Sequence, residues 1–216
     1  MNIVKIKKFK LCPDLAYLTG VIIGDGHLAN ATKSKNDKSA DYKIVVDISD
    51  KDYSKYLTNL ILKFIKTKSR PKEINQSSNR KKRYCMQFRN KSLFYFFTID
   101  MEIPKGKKSD IVKVPTAIIN SDSNIRLNFL AGLFDTDGGF RGGTLGFTSA
   151  SKKLILDISV LLNELKIRHM CESWINKNYN KQFYGIRIKK NQIDKFLNTV
   201  PFRNFEKRRR ILNRFL

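Results

Sequence analysis

The sequence predicts an α+β protein in which one unit, ordered helix, strands, helix, strands, helix, is written twice. Three observations carry this. Residues 18–26 (LTGVIIGDG) are echoed by residues 130–138 (LAGLFDTDG), which sets Asp25 and Asp137 112 positions apart. Each copy is followed by an alternating stretch and then by an apolar stripe of helical period. Within each copy, small residues four apart, Gly20 with Gly24 and Gly132 with Thr136, share one helix face. Small residues at that spacing let two helix backbones approach closely, so the copies are expected to pack through these two helices.

The elements follow in order. Residues 42–49 alternate, with Ile44, Val46 and Ile48 on one face and Lys43, Val45 and Asp47 on the other, which predicts a half-covered strand. Asp52 reads as a helix cap ahead of a stripe of Tyr53, Leu57, Leu60 and Phe64. The second copy supplies a strand at 144–148, a cap at Ser151, and the stripe Leu154, Ile158, Leu161 and Leu165. Two further strands are expected per half, clearest at 83–89 and 183–189. Tyr84, Met86 and Phe88 face inward in the first; Tyr184, Ile186 and Ile188 do so in the second. Helices begin near Lys91 and Gln192.

Residues 27–41, with Lys33, Lys35 and Lys38, read as a polar loop that the second copy largely lacks. Residues 101–122 hold Pro104, Gly106, Pro115 and a lysine-rich run and read as the linker, leaving halves at 1–100 and 123–216. The stretch from Arg203 to the end, with Arg208, Arg209 and Arg210 beside Phe205, Leu212 and Phe215, reads as a basic amphipathic helix.

Composition narrows the partner. Forty-three Lys and Arg against nineteen Asp and Glu give a net charge of +24. A folded chain this basic repels itself unless it meets a polyanion, and nucleic acid fits a charge spread through the whole chain better than an acidic membrane surface does. Ribosomal proteins share such a composition, so charge alone identifies no enzyme. Cys12, Cys85 and Cys171 are odd in number and lack metal-ligand spacing, so reduced, mostly buried thiols are expected. With no apolar run of transmembrane length and no signal peptide, a soluble intracellular protein is expected, with no membrane partner.

The repeated segment also carries chemistry. Each copy ends in Asp-Gly, and Gly26 and Gly138 suit the left-handed position that stops a helix. An aspartate in the last turn meets the negative end of the helix dipole. If the two helices pack side by side, Asp25 and Asp137 also resist ionising together. A divalent cation removes both objections, and oxygen ligands on a polyanion-binding surface suit Mg²⁺. Physical chemistry leaves metal-dependent phosphodiester hydrolysis and a simple turn role equally open for these two residues.

Residues 18–26, and residues 130–138 more closely, resemble the LAGLIDADG motif, and the doubled architecture resembles the single-chain LAGLIDADG homing endonucleases over nearly the whole chain. That resemblance implies two pseudo-symmetric αββαββα repeats packed through their motif helices, with antiparallel sheets forming a DNA-binding saddle. It implies metal-dependent double-strand cleavage of a long asymmetric DNA site, leaving short 3′ overhangs. Asp25 and Asp137 would bind Mg²⁺, or Mn²⁺ in its place. Ile23 stands where the second copy has Asp135, a position that is not a metal ligand in the family. Residues supporting the metal-bound waters would be Asp50 or Lys51 and Ser149 at the ends of the first strands, and Arg89 and Lys189 at the ends of the last; ordinary solvated charges explain Arg89 and Lys189 equally well. Arg83, Gln87 and Arg187 on outward strand faces are expected to read bases. Lys43 and Arg141 join the DNA-facing set, and Lys33 and Lys35 would hold phosphates. His27 could touch a phosphate; His169 and Trp174 read as structural. A non-catalytic nucleic-acid binder, in particular an RNA maturase of similar fold, is the alternative, and the intact aspartates favour the nuclease.

Both halves of a pseudo-dimer lie on one chain, so no obligate protein partner is expected. The protein should sediment as a monomer at high salt; a stable dimer there would mean that repeats pair between chains.

Overall fold

The computed structural model describes residues 7–32, 40–67, 72–74, 82–177 and 180–215. The first half runs α1 (Pro13–Asp25), β1 (Gly26–Thr32), β2 (Ala40–Ile48), α2 (Lys51–Leu62), β3 (Lys72–Ile74), β4 (Arg83–Arg89) and α3 (Lys91–Tyr95), which continues as a wider π-helical turn over Phe96–Asp100. After the short helix α4 (Thr116–Ile119), the second half runs α5 (Ser123–Thr136), β5 (Gly139–Arg141), β6 (Thr144–Ser149), α6 (Lys152–Glu164), β7 (His169–Asn176), β8 (Lys181–Ile188) and α7 (Ile193–Thr199). The helix α8 (Phe205–Phe215) closes the described chain. Each half builds a four-stranded antiparallel sheet, β1-β2-β4-β3 and β5-β6-β8-β7. The doubled αββαββα architecture expected from the sequence is therefore present.

Helix starts follow local chemistry. Pro13 opens α1 where a missing N–H costs no helical bond. The Asp50, Asn90, Asp122 and Ser151 side chains accept from the N–H groups of Tyr53, Leu93, Ile125 and Leu154, capping α2, α3, α5 and α6. The cap of α2 is thus Asp50, two residues before the Asp52 that the pattern suggested. Asp52 instead pairs with Lys55 on the helix surface.

The two motif helices make the centre of the molecule. Every residue of α1 from Leu15 to Ile23 is buried, so this helix is covered on all sides rather than striped. Its partner is α5, and the contact is backbone against backbone. A Cβ placed on Gly20 would stand 2.2 Å from the Phe129 carbonyl oxygen, one on Gly132 2.0 Å from the Tyr17 carbonyl oxygen, and one on Gly24 2.1 Å from Thr136 Oγ1. No side chain fits at these positions. Gly26 and Gly138 do not take the left-handed conformation expected of them: Gly26 is extended (φ −92°), and Gly138 is not at positive φ either. A Cβ there would run into Ile22 or Phe134, because the chain turns straight off the helix into a strand lying against it.

Two further expectations change, and the linker stretch makes packed contacts of its own. Residues 27–32, read as loop, are strand β1, antiparallel to β2 with Gly26 opposite Val46 and Thr32 opposite Ala40. Its sequence, GHLANAT, is poor in β-formers, and the pairing with β2 decides its conformation. The second copy makes the same hairpin with a two-residue turn, Gly142 (φ 51°) and Gly143 (φ 76°), as the primed turns of tight hairpins require. The stretch 101–122 is no loose tether: Val112 and Val114 are buried, the Ser151 hydroxyl donates to the Val112 carbonyl, and the Val114 N–H donates to Asp157. Among the thiols, Cys12 and Cys85 are half-buried, but Cys171 is exposed. No described helix is long and apolar enough to cross a membrane.

The halves are also locked by polar groups. Buried Asp135 accepts from the Tyr17 hydroxyl at 2.6 Å and from the Arg203 and Asn204 N–H groups, while Tyr17 and Tyr53 share a 2.7 Å hydrogen bond. Arg203 lies over the Tyr17 ring and donates to Asp14, Tyr56 and Asn128. The sixth position of the second motif therefore fastens the C-terminal segment to α1, whereas Ile23 in the first motif is simply core.

Gly132→Ala should destabilise the protein by about 2 kcal/mol or more, since the methyl has only backbone to displace. Urea unfolding would register this as a lower midpoint. An unchanged midpoint would show that the helices do not touch.

Candidate active site at the ends of the paired helices

Because α1 and α5 pack side by side, their C-termini end together. Asp25 is the last residue of α1, and Asp137 occupies the C-cap of α5, its N–H bonded to the Leu133 carbonyl at 3.0 Å. Gly24 brings the helices so close that its missing Cβ would lie 3.3 Å from Asp137 Oδ2. Water can reach both carboxyls, yet so much protein surrounds them that desolvation dominates their acidity. Burial raises Asp137 to about 6, with the Asp25 charge adding to the shift and Lys108 and Lys207 opposing it. Asp25 is raised as well, first by burial; Lys207, Arg83 and Lys108 pull it down and Asp47 pushes it up.

Two lysines that the sequence reading missed complete the site. Lys108 Nζ donates to the carbonyls of Ile23 (2.7 Å) and Gly24 (3.2 Å) at the end of α1. Lys207 Nζ donates to those of Phe134 (3.0 Å), Asp135 (3.0 Å) and Thr136 (2.7 Å) at the end of α5. Apart from that of Phe134, which also accepts from the Gly138 N–H, these are carbonyls that a helix leaves unpaired at the negative end of its dipole. Each ammonium also lies within electrostatic reach of both aspartates. Burial pulls Lys207 down to about 8 and lowers Lys108 in the same sense. Lys207 had one legible signal: it falls four residues before buried Ile211, on the apolar face of α8. Lys108 had none, standing in a run of surface-like lysines.

The two sheets present their outward faces beside this site. In the first, ladder register sets His27, Ala29, Lys43, Val45, Asp47, Arg83, Cys85, Gln87 and Arg89 on the face opposite buried Ile44, Val46, Met86 and Phe88. Arg83 pairs with Asp47 at 3.5 Å, and Cys85, desolvated beside the Asp47 carboxylate, is raised to about 11. In the second sheet the same logic places Arg141, Thr148, Glu172, Trp174, Phe183 and Arg187 outward. Asp137, Lys108, Thr148 and Phe183 line one cavity of about 240 Å³ where this face meets the helix ends.

Not every anticipated residue arrives there. Arg89 sits at the outer end of β4, three positions beyond Met86, the residue level with Gly26; with the Gln87 amide oxygen turned toward it, its guanidinium donates at 2.9 and 2.8 Å. Lys189 lies two residues past Arg187, which is level with Gly139. Strand register carries Arg89 and Lys189 away from the aspartates; among the described residues the cations that act on them are Lys108 and Lys207, with Arg83 acting on Asp25. Asp50 and Ser149 are engaged in turns, Asp50 as the α2 cap and Ser149 accepting from the Ser151 N–H, and Lys51 opens α2. His169 is held by Ser159 and the Ile167 carbonyl. Lys33, Lys35 and Lys38 lie outside the described residues.

Among the described residues no cluster of three His, Cys, Asp or Glu side chains could hold a metal. The donor set is two carboxylates, which fits a hard cation that keeps water and phosphate oxygens in its shell. Their raised pKa values fit as well, since a cation would offset the desolvation of both carboxylates and the repulsion that Asp25 exerts on Asp137.

The fold and site define a pseudo-twofold class of protein, with two acidic helix ends beside two sheets whose outward faces carry lysine and arginine. The family described as LAGLIDADG-like domain matches residues 124–201. A replication factor C small subunit of Methanocaldococcus jannaschii is 30% identical over 200 residues, 92% of this chain; the chain spans about a tenth of that protein's length. Mesophilic variants of the homing endonuclease I-DmoI share the fold at a TM-score of 0.66 and 22% identity, covering 87% of this chain and 94% of that one. I-DmoI in complex with DNA and Ca matches at the same TM-score and identity, covering 87% and 88%. The N-terminal LAGLIDADG domain of DUF199/WhiA matches at 0.56 and 18%, covering 97% and 90%. The family match lies in the second half of the chain, and the first half carries the same motif and element order, the arrangement of a two-motif LAGLIDADG fold.

The raised Asp137 sets a pH dependence. Its folded value near 6 lies above the unfolded 3.8, so its contribution to stability is full below about pH 4 and is lost as pH rises through 6. In EDTA, Asp137→Asn should therefore melt above wild type at pH 8 and converge with it toward pH 4. A variant that melts below wild type at pH 8 would contradict the crowding of charge at the helix ends.

Proposed function

We propose that this protein is a site-specific endonuclease that makes double-strand breaks in DNA with short 3′ overhangs at a long asymmetric site. The observation that carries the reading is the delivery of Asp25 and Asp137 to one point by two helices in backbone contact, beneath basic sheet faces. Asp25 and Asp137 would hold Mg²⁺, with Mn²⁺ as a substitute. The cation, when bound, polarises the scissile phosphate, acidifies an attacking water and stabilises the leaving oxygen.

The chain's own residues supply the rest. Lys108 and Lys207, fixed by helix carbonyls, keep positive charge beside the aspartates and offset the negative end of each dipole. They take the supporting part that the sequence assigned to Arg89 and Lys189, which in this reading become outer contacts to the duplex. Lys43, Arg83, Gln87, Arg141 and Arg187 face the DNA, the arginines and the glutamine at base edges and Lys43 at the backbone. Lys33 and Lys35 are assigned to phosphates. The likeness to I-DmoI in complex with DNA and Ca supports this reading, and a net charge of +24 is in keeping with it.

Incubation with a randomised duplex library in Mg²⁺ and in EDTA tests the proposal. Site-specific double-strand cuts should appear only with the metal. Asp25→Asn and Asp137→Asn should each reduce them by at least about a hundredfold while duplex binding persists. Wild-type cutting by either variant would remove that residue from the site, and binding without cutting by the wild type would favour the maturase or binder reading.

A further inference from the structure

The outward face of the second sheet carries an ion cluster that the assignment of Arg141 and Arg187 as free base readers does not explain. Glu172 on β7 receives Arg141 Nε on Oε1 at 2.5 Å and Arg187 Nη2 on Oε2 at 3.0 Å, so one carboxylate holds two guanidiniums. Arg141 also stacks on the Trp174 ring at 3.6 Å, with Phe183 stacked against that ring, and donates to Thr148 Oγ1 at 3.3 Å. The cluster lies on a floor cleared of side chains. A Cβ on Gly185 would meet Glu172 Oε1 at 3.2 Å, and one on Gly142 would meet Arg187 Nη1 at 2.4 Å. All three charged side chains are about one quarter to one third exposed, so they are held down without being hidden.

Among the described residues, the first sheet lacks this arrangement. Cys85 and Gly185 occupy equivalent rungs, each one residue before the strand position level with the motif glycine. Opposite Cys85 the outer strand carries Lys72; opposite Gly185 it carries Glu172. The charge is reversed at the same place in the two halves.

Resting on the reading of these faces as DNA-facing, we propose that Glu172 is a specificity-determining positioning residue. By neutralising and orienting Arg141 and Arg187, it stops them from gripping phosphates and commits their remaining N–H groups to base edges under the second sheet. A mobile arginine on a DNA surface finds a phosphate, which adds affinity for every sequence alike. An arginine held in one orientation can offer its planar fork to a guanine edge, a contact that discriminates between bases by roughly five- to a hundredfold. The carboxylate itself repels phosphate and keeps the backbone off this part of the sheet.

The test is selection of bound duplexes from a randomised library, with Ca²⁺ in place of Mg²⁺, followed by affinity for an unrelated duplex at several salt concentrations. Wild type should enrich a consensus. Glu172→Gln, which keeps the shape, should lose roughly fivefold or more of discrimination at one or two positions in one half-site only. It should also bind unrelated duplex more tightly, with a salt slope steeper by about one to two units. Adding Arg187→Met should take back about one of those units. Melting curves check that the variants fold. As an independent route, Arg187→Lys in the wild-type background keeps the charge but loses the fork, and should blur the same positions. If Glu172→Gln, folded, or Arg187→Lys keeps the wild-type consensus and slope, the role of Glu172 is overturned while the endonuclease reading stands. If wild type enriches no consensus, the site-specific reading falls and this one with it.

Discussion

Gly20 and Gly132 let two helix backbones touch, and the rest of the molecule is arranged around that contact. A carbonyl of each helix occupies the space where the other would place a Cβ. The interface therefore has no tolerance for slippage, and the axes of α1 and α5 fix each half relative to the other. Since both helices end at the same level, whatever stands in their last turns is brought together. The sheets begin at Gly26, one residue after Asp25, and at Gly139, two residues after Asp137, so their outward faces start close to that point as well.

This geometry crowds negative charge. Two carboxylates and two sets of unpaired carbonyls converge in a region that water reaches but protein surrounds. Lys108 and Lys207 answer it from segments outside the repeats' sheets, one in the connection and one in the terminal helix. Burial lowers the pKa of both lysines, so holding their charge there is itself costly. A doubly charged hard cation would complete it. Behind the site, the Asp135–Tyr17–Tyr53 network and Arg203 hold the terminal segment in place, which is what allows Lys207 to reach α5.

The pseudo-symmetry holds in the core and fails on the surface. The two cap positions, the two sheets and the two helix-end lysines correspond. The outward faces do not: the first pairs Arg83 with Asp47, while the second binds two arginines to one glutamate over glycines. Packing constrains the inner faces of both sheets in the same way, and the outer faces are free to differ. A chain that carries both halves can present unlike surfaces to the two ends of an asymmetric ligand, which a symmetric homodimer cannot.

The repeat, the motif helices and their close approach were legible in the sequence, because they depend on residue type at fixed local spacing. So were the inner faces of β2, β4 and β8, whose apolar residues alternate with period two. β1 was not legible, since its backbone pairing is rewarded by β2 and not by its own side chains. The left-handed role read into Gly26 and Gly138 was wrong in mechanism, because a collision with the preceding helix turn, and not a positive φ, excludes a side chain there. Above all, sequence could place aspartates at two helix ends but could not say which cations attend them. Arg89 and Lys189 matched by counting along strands, yet strand direction carries them to the outer end of each sheet, whereas Lys108 and Lys207 come from segments whose position only packing sets. Composition and spacing determined what kind of site this chain could build; the tertiary structure decided its membership, because charge acts through space and the residues that meet there are distant along the chain.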